Sequence, residues 1–365
     1  MTRPFALLAA LCAALLLTAC GGSETAATAD GTAAAPQQSY QWKMVTSWPK
    51  NYPGLGIGPE NFAKMVDEMS NGRLKIKVYG AGQLVPALEV FDAVSQGTAE
   101  IGHSGAYYWK GKTSAAPFFG TVPFGLNAQE MNGWVQYGGG WELWREIYEP
   151  FNLVPYPGGN TGVQMAGWFN KEINSIADIK GLKMRIPGLG GEVWTRAGGE
   201  AINLPGGEIY TSLQTGVIDA TEWVGPYNDL AFGLYQIAEY YYYPGWHEPG
   251  PMLEFIVNKD ALAALPADLQ AIIKAAALAV NDSMLAEYTG NNGRAMKTLV
   301  EEHNVQLRRL PDDVLEAFRQ QMVEIHQEMS AKDPDYKRVY ESMSAYQQQV
   351  RKFHDVSERA YYELP

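Results

Sequence analysis

The sequence predicts a two-lobed α/β fold with a helical C-terminal region. Segments typical of strands and of helices alternate along most of the chain, which indicates mainly parallel sheets covered by helices. The 365 residues are 46% hydrophobic and 19% charged, enough to bury a sizeable core in two lobes. From Pro266 onward the apolar residues follow a helical period. Because the chain crosses between the lobes, we expect a cleft that can close.

The first lobe is predicted over residues 40–161, where the elements follow a βαβαβ order. Strands are expected at 41–48, 74–80 and 99–105, with helices around Pro59 to Met69 and at 87–97. In open sheets of this kind, ligands bind beyond the carboxyl ends of the strands.

The second lobe is predicted over residues 162–251. Strands are expected at 162–170, 183–188, 201–205 and 218–225, and helices near 176–180, 192–197 and 209–215. Residues 252–262 are predicted to form a strand that crosses back, so part of 252–330 would complete the first lobe. The last segment, 331–365, is predicted to be a C-terminal helix.

The N-terminus predicts export. Arg3 precedes an apolar run that is too short to span a bilayer comfortably, and the run ends in Leu17-Thr18-Ala19-Cys20-Gly21. This pattern predicts a signal peptide at 1–19 and a lipid on Cys20, with 20–39 as a lipidated flexible tether. The alternative is an ordinary signal peptide with an incidental cysteine. Cleavage would leave Cys20 as the only cysteine, which excludes an intrachain disulfide.

Charge and motifs argue against several classes of function. The chain has 28 Lys and Arg against 40 Asp and Glu, a net charge of −12 that disfavours nucleic acid. The glycines at 54, 56 and 58 do not have dinucleotide-binding spacing. GHSGA at 102–106 only approaches the G-x-S-x-G elbow of hydrolases. No two of the five histidines have zinc-ligand spacing.

Three segments together resemble one family. QLVPALEVFDAVSQGTAEIGHS (83–104), IADIKGLKMRIPG (176–188) and LQTGVIDATEWVGP (213–226) resemble the periplasmic solute-binding proteins of TRAP (tripartite ATP-independent periplasmic) transporters. The resemblance spans about 40–365 and implies a periplasmic-binding-protein-like clamshell without catalytic activity, served by membrane permease subunits. It is closest to the subgroup that binds 2-oxo or 2-hydroxy monocarboxylates with a metal cation, because Gln164, Arg185, Glu222 and Trp223 stand where that subgroup needs them.

Arg185 is the predicted partner of the substrate carboxylate. It ends a predicted strand, and its planar guanidinium can bind a carboxylate with two hydrogen bonds. The alternative is a surface arginine or an arginine paired with another acid. Tyr108 follows the third strand of the first lobe, and the resemblance implies that its hydroxyl binds substrate.

The position of Glu222 predicts a bound cation. If Glu222 and Arg185 both face the cleft, Glu222 and a substrate carboxylate repel each other at a cost of several kcal/mol. Either Glu222 is protonated, or a cation, sodium or calcium, lies between the two anions. Its predicted ligands are the side chains of Gln164 and Glu222 and the backbone carbonyl of Trp223, all oxygen donors. The alternative is that Glu222 pairs with Lys or Arg away from the cleft.

The C-terminal helix carries an apolar seam. Residues at 3-4 spacing from Tyr336 are mostly apolar: Tyr336, Val339, Met343, Tyr346, Val350, Phe353, Ser357 and Ala360. The seam packs either on its own lobe or on a second copy, and the resemblance implies a homodimer. The predicted function is therefore a periplasmic binding protein, lipid-anchored to a bacterial membrane, for a small 2-oxo (or 2-hydroxy) monocarboxylate. An ABC-type binding lipoprotein for another nutrient and a secreted α/β hydrolase remain alternatives.

Overall fold

The computed structural model describes residues 38–365. The predicted signal peptide, Cys20 and the tether up to residue 37 lie outside this range. Eleven strands occur within it: β1 (Tyr40–Thr46), β2 (Leu74–Tyr79), β3 (Ile101–Gly105), β4 (Leu153–Asn160), β5 (Gly167–Phe169), β6 (Lys183–Arg185), β7 (Glu200–Ile202), β8 (Ala220–Thr221), β9 (Tyr240–Tyr243), β10 (Met252–Asn258) and β11 (Gln306–Arg309).

Helices cover both sheets and form the C-terminal region. They are α1 (Ile57–Met69), α2 (Val90–Ser95), α3 (Pro117–Gly120), α4 (Ala128–Tyr137), α5 (Gly140–Tyr148), α6 (Gly188–Arg196), α7 (Gly206–Gln214), α8 (Pro226–Phe232), α9 (Lys259–Ala263), α10 (Ala267–Lys297), α11 (Asp312–Lys332), α12 (Pro334–His354) and α13 (Glu358–Tyr362). The helices predicted in the first lobe and at 192–197 and 209–215 are confirmed, and 176–179 forms a 3-10 turn.

The strands form two separate sheets, which confirms the two-lobed α/β architecture. The first has the order β2-β1-β3-β10-β4 and the second the order β11-β9-β5-β8-β6-β7. Strands β1, β2 and β3 are parallel, whereas β10 runs antiparallel to both of its neighbours. The chain leaves the first sheet after β4, returns at β10 and leaves again through α10 to β11, so three connections join the sheets.

Three strands were missed or mispredicted. Residues 306–309 were predicted to be helical, but β11 pairs in parallel with β9, a tertiary contact with no local signal. Strand β4 contains Pro155 and Pro157, which a central strand excludes and this edge strand tolerates. Strand β9 is a run of four tyrosines, and it lacks the alternation that predicts a strand.

All four strands predicted in the second lobe are shorter than expected, and the strand predicted at 252–262 ends at Asn258, where helix α9 follows. Only Gly167–Phe169 of 162–170 and Ala220–Thr221 of 218–225 pair with neighbours. Gln164 therefore lies in the connection that precedes β5, and Glu222 and Trp223 lie just beyond the end of β8. Connections at strand ends are where these folds place binding groups.

Helix α10 is the main element that supports the first sheet. It packs against β4, α1 and α8, with Leu269, Ile273, Val280 and Met284 in the core. Within residues 38–365, α10 with its continuation to Glu302 is the one helix long and apolar enough to cross a membrane. The core helix of a folded protein can have the same length and composition.

The GHSGA segment is an interior strand rather than a hydrolase elbow. The indole nitrogen of Trp48 donates to His103 Nδ1 at 2.8 Å, and His103 Nε2 lies 2.8 Å from the carbonyl of Gly158. His103 is therefore neutral with its proton on Nε2, and burial lowers its pKa to about 4. Ser104 Oγ lies 2.6 Å from Ser47 Oγ, so this serine bonds to another serine.

Replacing His103 with Gln should remove an acid-sensitive contribution to stability. The folded-state pKa of about 4 lies below the ordinary value of 6.5, so between these pH values only the unfolded state binds the proton. Stability is then lost as the pH falls, by up to about 3 kcal/mol for this residue. Urea unfolding between about pH 7 and pH 4 should give a smaller acid loss for His103→Gln than for wild type.

The control for this experiment is His303→Gln, because the ring of His303 is exposed and stacks on Tyr235. Its unfolding profile should parallel that of the wild type. Parallel profiles for His103→Gln as well would contradict the assignment of a buried neutral histidine.

Candidate functional site

All five predicted site residues line one enclosed cavity between the two sheets. Its volume is about 10 Å³, so the lobes lie close together around it. The predicted residues on its wall are Tyr108, Gln164, Arg185, Glu222 and Trp223. The first sheet contributes Trp48, Leu55, Tyr107 and Leu253 to the same wall. The cavity therefore combines groups from both lobes.

Parallel pairing brings Arg185 and Glu222 together. Arg185 is the last residue of β6, and it pairs with Thr221 at the end of β8, so Glu222 emerges at the same edge of the sheet. The backbone N–H of Glu222 donates to the carbonyl of Arg185 at 3.2 Å. On the other side of β8, Gly167 permits the close approach of β5 to β8. Its φ is +124°, and an added Cβ would lie 2.4 Å from the Thr221 carbonyl oxygen.

Arg185 and Glu222 form a buried ion pair. Arg185 Nη1 donates to Glu222 Oε1, and both residues are 1% exposed. The guanidinium also donates to the carbonyl of Leu204 at 3.0 Å and to the hydroxyl of Tyr108 at 3.0 Å. Burial opposes the charge on Arg185, but Tyr108 and Glu222 outweigh it and raise the pKa of the guanidinium. Arg185 is thus a permanent cation.

The ion pair distinguishes between the alternatives that the sequence left open for Glu222. The sequence allowed a protonated Glu222, an intervening cation, or an ion pair away from the cleft. In the structure Glu222 faces the cavity and pairs directly with Arg185. Two opposite charges that are buried side by side must pair, because the cost of leaving either one alone in the interior is several kcal/mol.

Two residues close to Glu222, His247 and Glu248, were not predicted from the sequence. One donor atom each of Glu222, His247 and Glu248 lies within 4.8 Å of the others, and all three residues are buried. His247 Nε2 is 3.4 Å from Glu222 Oε2 but lacks hydrogen-bond geometry. Burial and the charge of Glu222 raise the pKa of Glu248 well above its ordinary value. The adjacent His and Glu before Pro249 are a usable signal for a polar site, although they lack zinc-ligand spacing.

The donor set around Glu222 suits a hard cation. Gln164 Oε1 is buried and has no hydrogen-bond partner, while its Nε2 donates to Thr161 Oγ1 at 3.1 Å. The carboxylates of Glu222 and Glu248 lie on the same wall. Sodium and calcium prefer carboxylate and carbonyl oxygens of this kind. The orphaned oxygen of Gln164 and the clustered carboxylates therefore fit the predicted cation.

The segment that carries Trp223 is held by Asp229. Asp229 Oδ1 accepts from the backbone N–H groups of Val224 at 3.3 Å and Gly225 at 3.1 Å. Asp229 Oδ2 accepts from the indole of Trp168 at 3.0 Å and from Tyr241 at 2.7 Å. Burial raises the pKa of Asp229 to about 7, against the lowering effect of these donors. The turn after Glu222 is thereby tied to β5 and β9.

Comparisons with known proteins are consistent with this arrangement. Residues 44–333 match the bacterial extracellular solute-binding proteins, family 7. The chain is 47% identical over 321 residues to a monocarboxylate 2-oxoacid-binding periplasmic protein of Nostoc sp. (strain PCC 7120), covering 88% of each chain.

Two solved structures are similar over most of the chain. One is a TRAP periplasmic solute-binding protein from Pseudoalteromonas atlantica with bound sodium and pyruvate, at 46% identity and a TM-score of 0.87, covering 89% of this chain and 99% of that one. The other is a TRAP solute-binding protein from Bordetella bronchiseptica, a mixed-occupancy dimer with copurified calcium and picolinate. Its identity is 38% and its TM-score 0.87, with 89% and 96% of the two chains covered.

Breaking the buried ion pair from either side should destabilise the protein. Arg185→Met leaves Glu222 without its partner, Glu222→Met leaves the guanidinium without an anion, and each change should cost about 3–5 kcal/mol. The double variant should cost far less than the sum, because it leaves no unpaired charge. Urea unfolding in chelator-treated buffer free of carboxylates measures the coupling.

The matched control is the exposed pair Arg359 and Asp355, which are 2.8 Å apart. The same double-mutant cycle there should give a coupling below about 1 kcal/mol. Additive costs at Arg185 and Glu222 would contradict a tightly coupled buried pair.

Proposed function

This chain belongs to the bacterial extracellular solute-binding proteins of family 7, and we propose that it is the TRAP-transporter receptor for a small 2-oxo monocarboxylate, bound together with a metal cation. Members of the family are receptors, so the expectation that the chain is not an enzyme is confirmed. Neither the ABC-type nor the hydrolase alternative gains support. The observation that carries the proposal is the buried Arg185–Glu222 pair in a cavity that also holds the unpaired Gln164 Oε1.

Ligand binding requires an exchange of ionic partners. Arg185 would release Glu222 and bind the substrate carboxylate, with Tyr108 beside it. Glu222, Gln164 Oε1 and the Trp223 carbonyl would hold the cation, with Glu248 close by. When bound, the cation supplies the positive charge that Arg185 no longer gives to Glu222. Each buried charge thus keeps a partner throughout, which is what burial demands.

Charge balance makes the cation and the carboxylate depend on each other. A carboxylate alone would leave Glu222 unpaired beside a second anion, and a cation alone would leave two positive groups facing Glu222. Bound together, a monocarboxylate and sodium add no net charge to the cavity. The bound cation and monocarboxylate can therefore replace the Arg185–Glu222 contact at little electrostatic cost.

Chelation favours acids with a second donor next to the carboxylate. Pyruvate offers a 2-oxo oxygen, and picolinate offers a ring nitrogen in the equivalent position. Both were found with a cation in similar structures. A cation held by Glu222 and Gln164 would have room for both donors of such an acid, which supports a 2-oxo or 2-hydroxy monocarboxylate and either sodium or calcium.

The family supports a periplasmic location and a permease partner. A lipid on Cys20 that anchors the receptor to a bacterial membrane remains our proposal. We also propose the lobe division given above, with residues 40–161 and part of 252–330 in one lobe and 162–251 in the other. Strand β11 adds residues 306–309 to the sheet of the second lobe.

A homodimer through the C-terminal helices is a further part of the proposal. Tyr336, Val339 and Met343 at the start of α12 are buried against their own chain. Beyond them, apolar side chains are exposed: Phe353 by 64%, Val356 by 74%, Tyr361 by 72% and Tyr362 by 84%. A second copy would cover these side chains at the end of α12, in the turn after it and in α13, and the similar Bordetella protein is a dimer.

Pyruvate binding should depend on a metal. Chelator-treated, sodium-free protein should bind pyruvate at least tenfold more weakly than protein with added sodium or calcium, because Glu222 then repels the ligand. Glu222→Gln should weaken the cation and pyruvate together, whereas the exposed Glu146→Gln should change neither. Calorimetric titration measures both affinities. Full-affinity binding of pyruvate without any metal would remove the cation from the proposal.

Charges placed on the exposed apolar residues near the end of the chain should yield a monomer. Phe353→Asp with Val356→Asp puts two carboxylates into the proposed interface but leaves the buried half of α12 unchanged. Light scattering should give the mass of a dimer for wild type and of a monomer for the double variant. Tyr137→Asp, at a residue that is 92% exposed elsewhere, is the control. A wild-type protein that is already monomeric at micromolar concentration would exclude the dimer.

A further inference from the structure

A hydrogen-bonded latch joins the two lobes at the edge of the cavity. We define the latch as Tyr52, Trp223 and Asn228. Tyr52 lies between β1 and α1 of the first sheet, and the other two residues follow β8 of the second. The hydroxyl of Tyr52 accepts from the indole N–H of Trp223 at 3.0 Å and donates to the carbonyl of Asn228 at 2.7 Å. One hydroxyl therefore bonds to two residues of the opposite lobe.

Asn228 closes the latch from the other side. Its Nδ2 donates to the carbonyl of Pro53 at 3.0 Å, and its Oδ1 accepts from the hydroxyl of Tyr288 in α10 at 2.6 Å. Asn228 and Tyr288 are fully buried. The ring of Tyr52 packs edge-on against Trp223 at 6.1 Å and Phe232 at 5.4 Å between centroids. The contact is thus a packed interface with paired polar groups, the condition under which such bonds stabilise.

The latch holds the side chain of Trp223, and Asp229 holds the peptide group that follows it. The Trp223 carbonyl, a proposed cation ligand, shares a planar peptide unit with the Val224 N–H. That N–H donates to Asp229, so the carbonyl must point away from Asp229. The indole of Trp223 is held separately by Tyr52. With the side chain and the peptide plane both restrained, the carbonyl has a defined direction when the lobes are together.

We propose that Tyr52 is a positioning residue for the cation site, so that closing the lobes and fixing the Trp223 carbonyl are one event. This inference rests on the proposed function. Separating the lobes breaks both bonds of the Tyr52 hydroxyl and frees the Trp223 side chain. Asp229 and the Met165 N–H, which donates to the Val224 carbonyl at 3.1 Å, still hold that segment within the second lobe. Cation and ligand are then retained through a first-lobe residue that touches neither of them.

Tyr52→Phe tests this inference, because it removes one hydroxyl and keeps the ring. Two lost hydrogen bonds should raise the dissociation rate of the sodium and pyruvate complex at least tenfold, equivalent to about 1.4 kcal/mol. The association rate should change little, since ligands enter while the lobes are apart. Stopped-flow tryptophan fluorescence with sodium and pyruvate measures both rates.

The matched control is Tyr242→Phe. The hydroxyl of this buried tyrosine accepts from the Ile173 N–H at 2.7 Å within the second lobe, so its loss affects stability without reaching the latch. A dissociation rate that is unchanged in Tyr52→Phe, or raised equally in Tyr242→Phe, would overturn the positioning role.

Hydrogen exchange of the protein without pyruvate separates the latch from the proposed function. Residues 50–56 and 222–229 should both exchange faster in Tyr52→Phe, and neither should do so in Tyr242→Phe. If the wild-type protein does not bind pyruvate, the proposed function is wrong. The hydrogen-exchange rates of residues 50–56 and 222–229 still test the latch in that case. Unchanged exchange in both segments would overturn the latch even where pyruvate binds.

Discussion

The buried ion pair between Arg185 and Glu222 is the constraint on which the site depends. Both side chains are 1% exposed, so neither charge can turn to water without moving the lobes. Parallel pairing of β6 with β8 places them at one sheet edge, and Tyr108 from the other lobe accepts a further hydrogen bond from the guanidinium. In the function we propose, a ligand that enters offers Arg185 an anion and Glu222 a cation, because each buried charge needs a partner.

That requirement connects the fold to the chemistry of capture. The cavity wall comes from connections at strand ends in both sheets, and three chain crossings join the sheets. Groups held by different lobes meet only when the lobes are together. Binding and closure are therefore expected to stabilise each other, which suits a receptor that must release its solute to a membrane partner.

Predictions from the sequence were strongest where the chemistry was local. The sequence predicts five site residues, and all of them line one cavity: Tyr108, Gln164, Arg185, Glu222 and Trp223. His247 and Glu248 were missed because they lie between β9 and β10, where no strand or motif marked them. Strands β4, β9 and β11 were missed for a related reason, since prolines, a tyrosine run and a short polar segment become strands only through their neighbours.

Short segments of the sequence are enough to predict the α/β alternation, the family and the residue types of the site, because periodicity and functional groups are local properties. Which charges meet depends on the packing of distant segments. Arg185 and Glu222 are 37 residues apart, and Tyr52 and Trp223 are 171 apart. Whether Glu222 faces an arginine or solvent depends on the register of β6 against β8, and whether Tyr52 reaches Trp223 depends on how two sheets pack. Local sequence does not set the free energy of either the strand register or the packing of the two sheets. Both are therefore determined by contacts between distant segments.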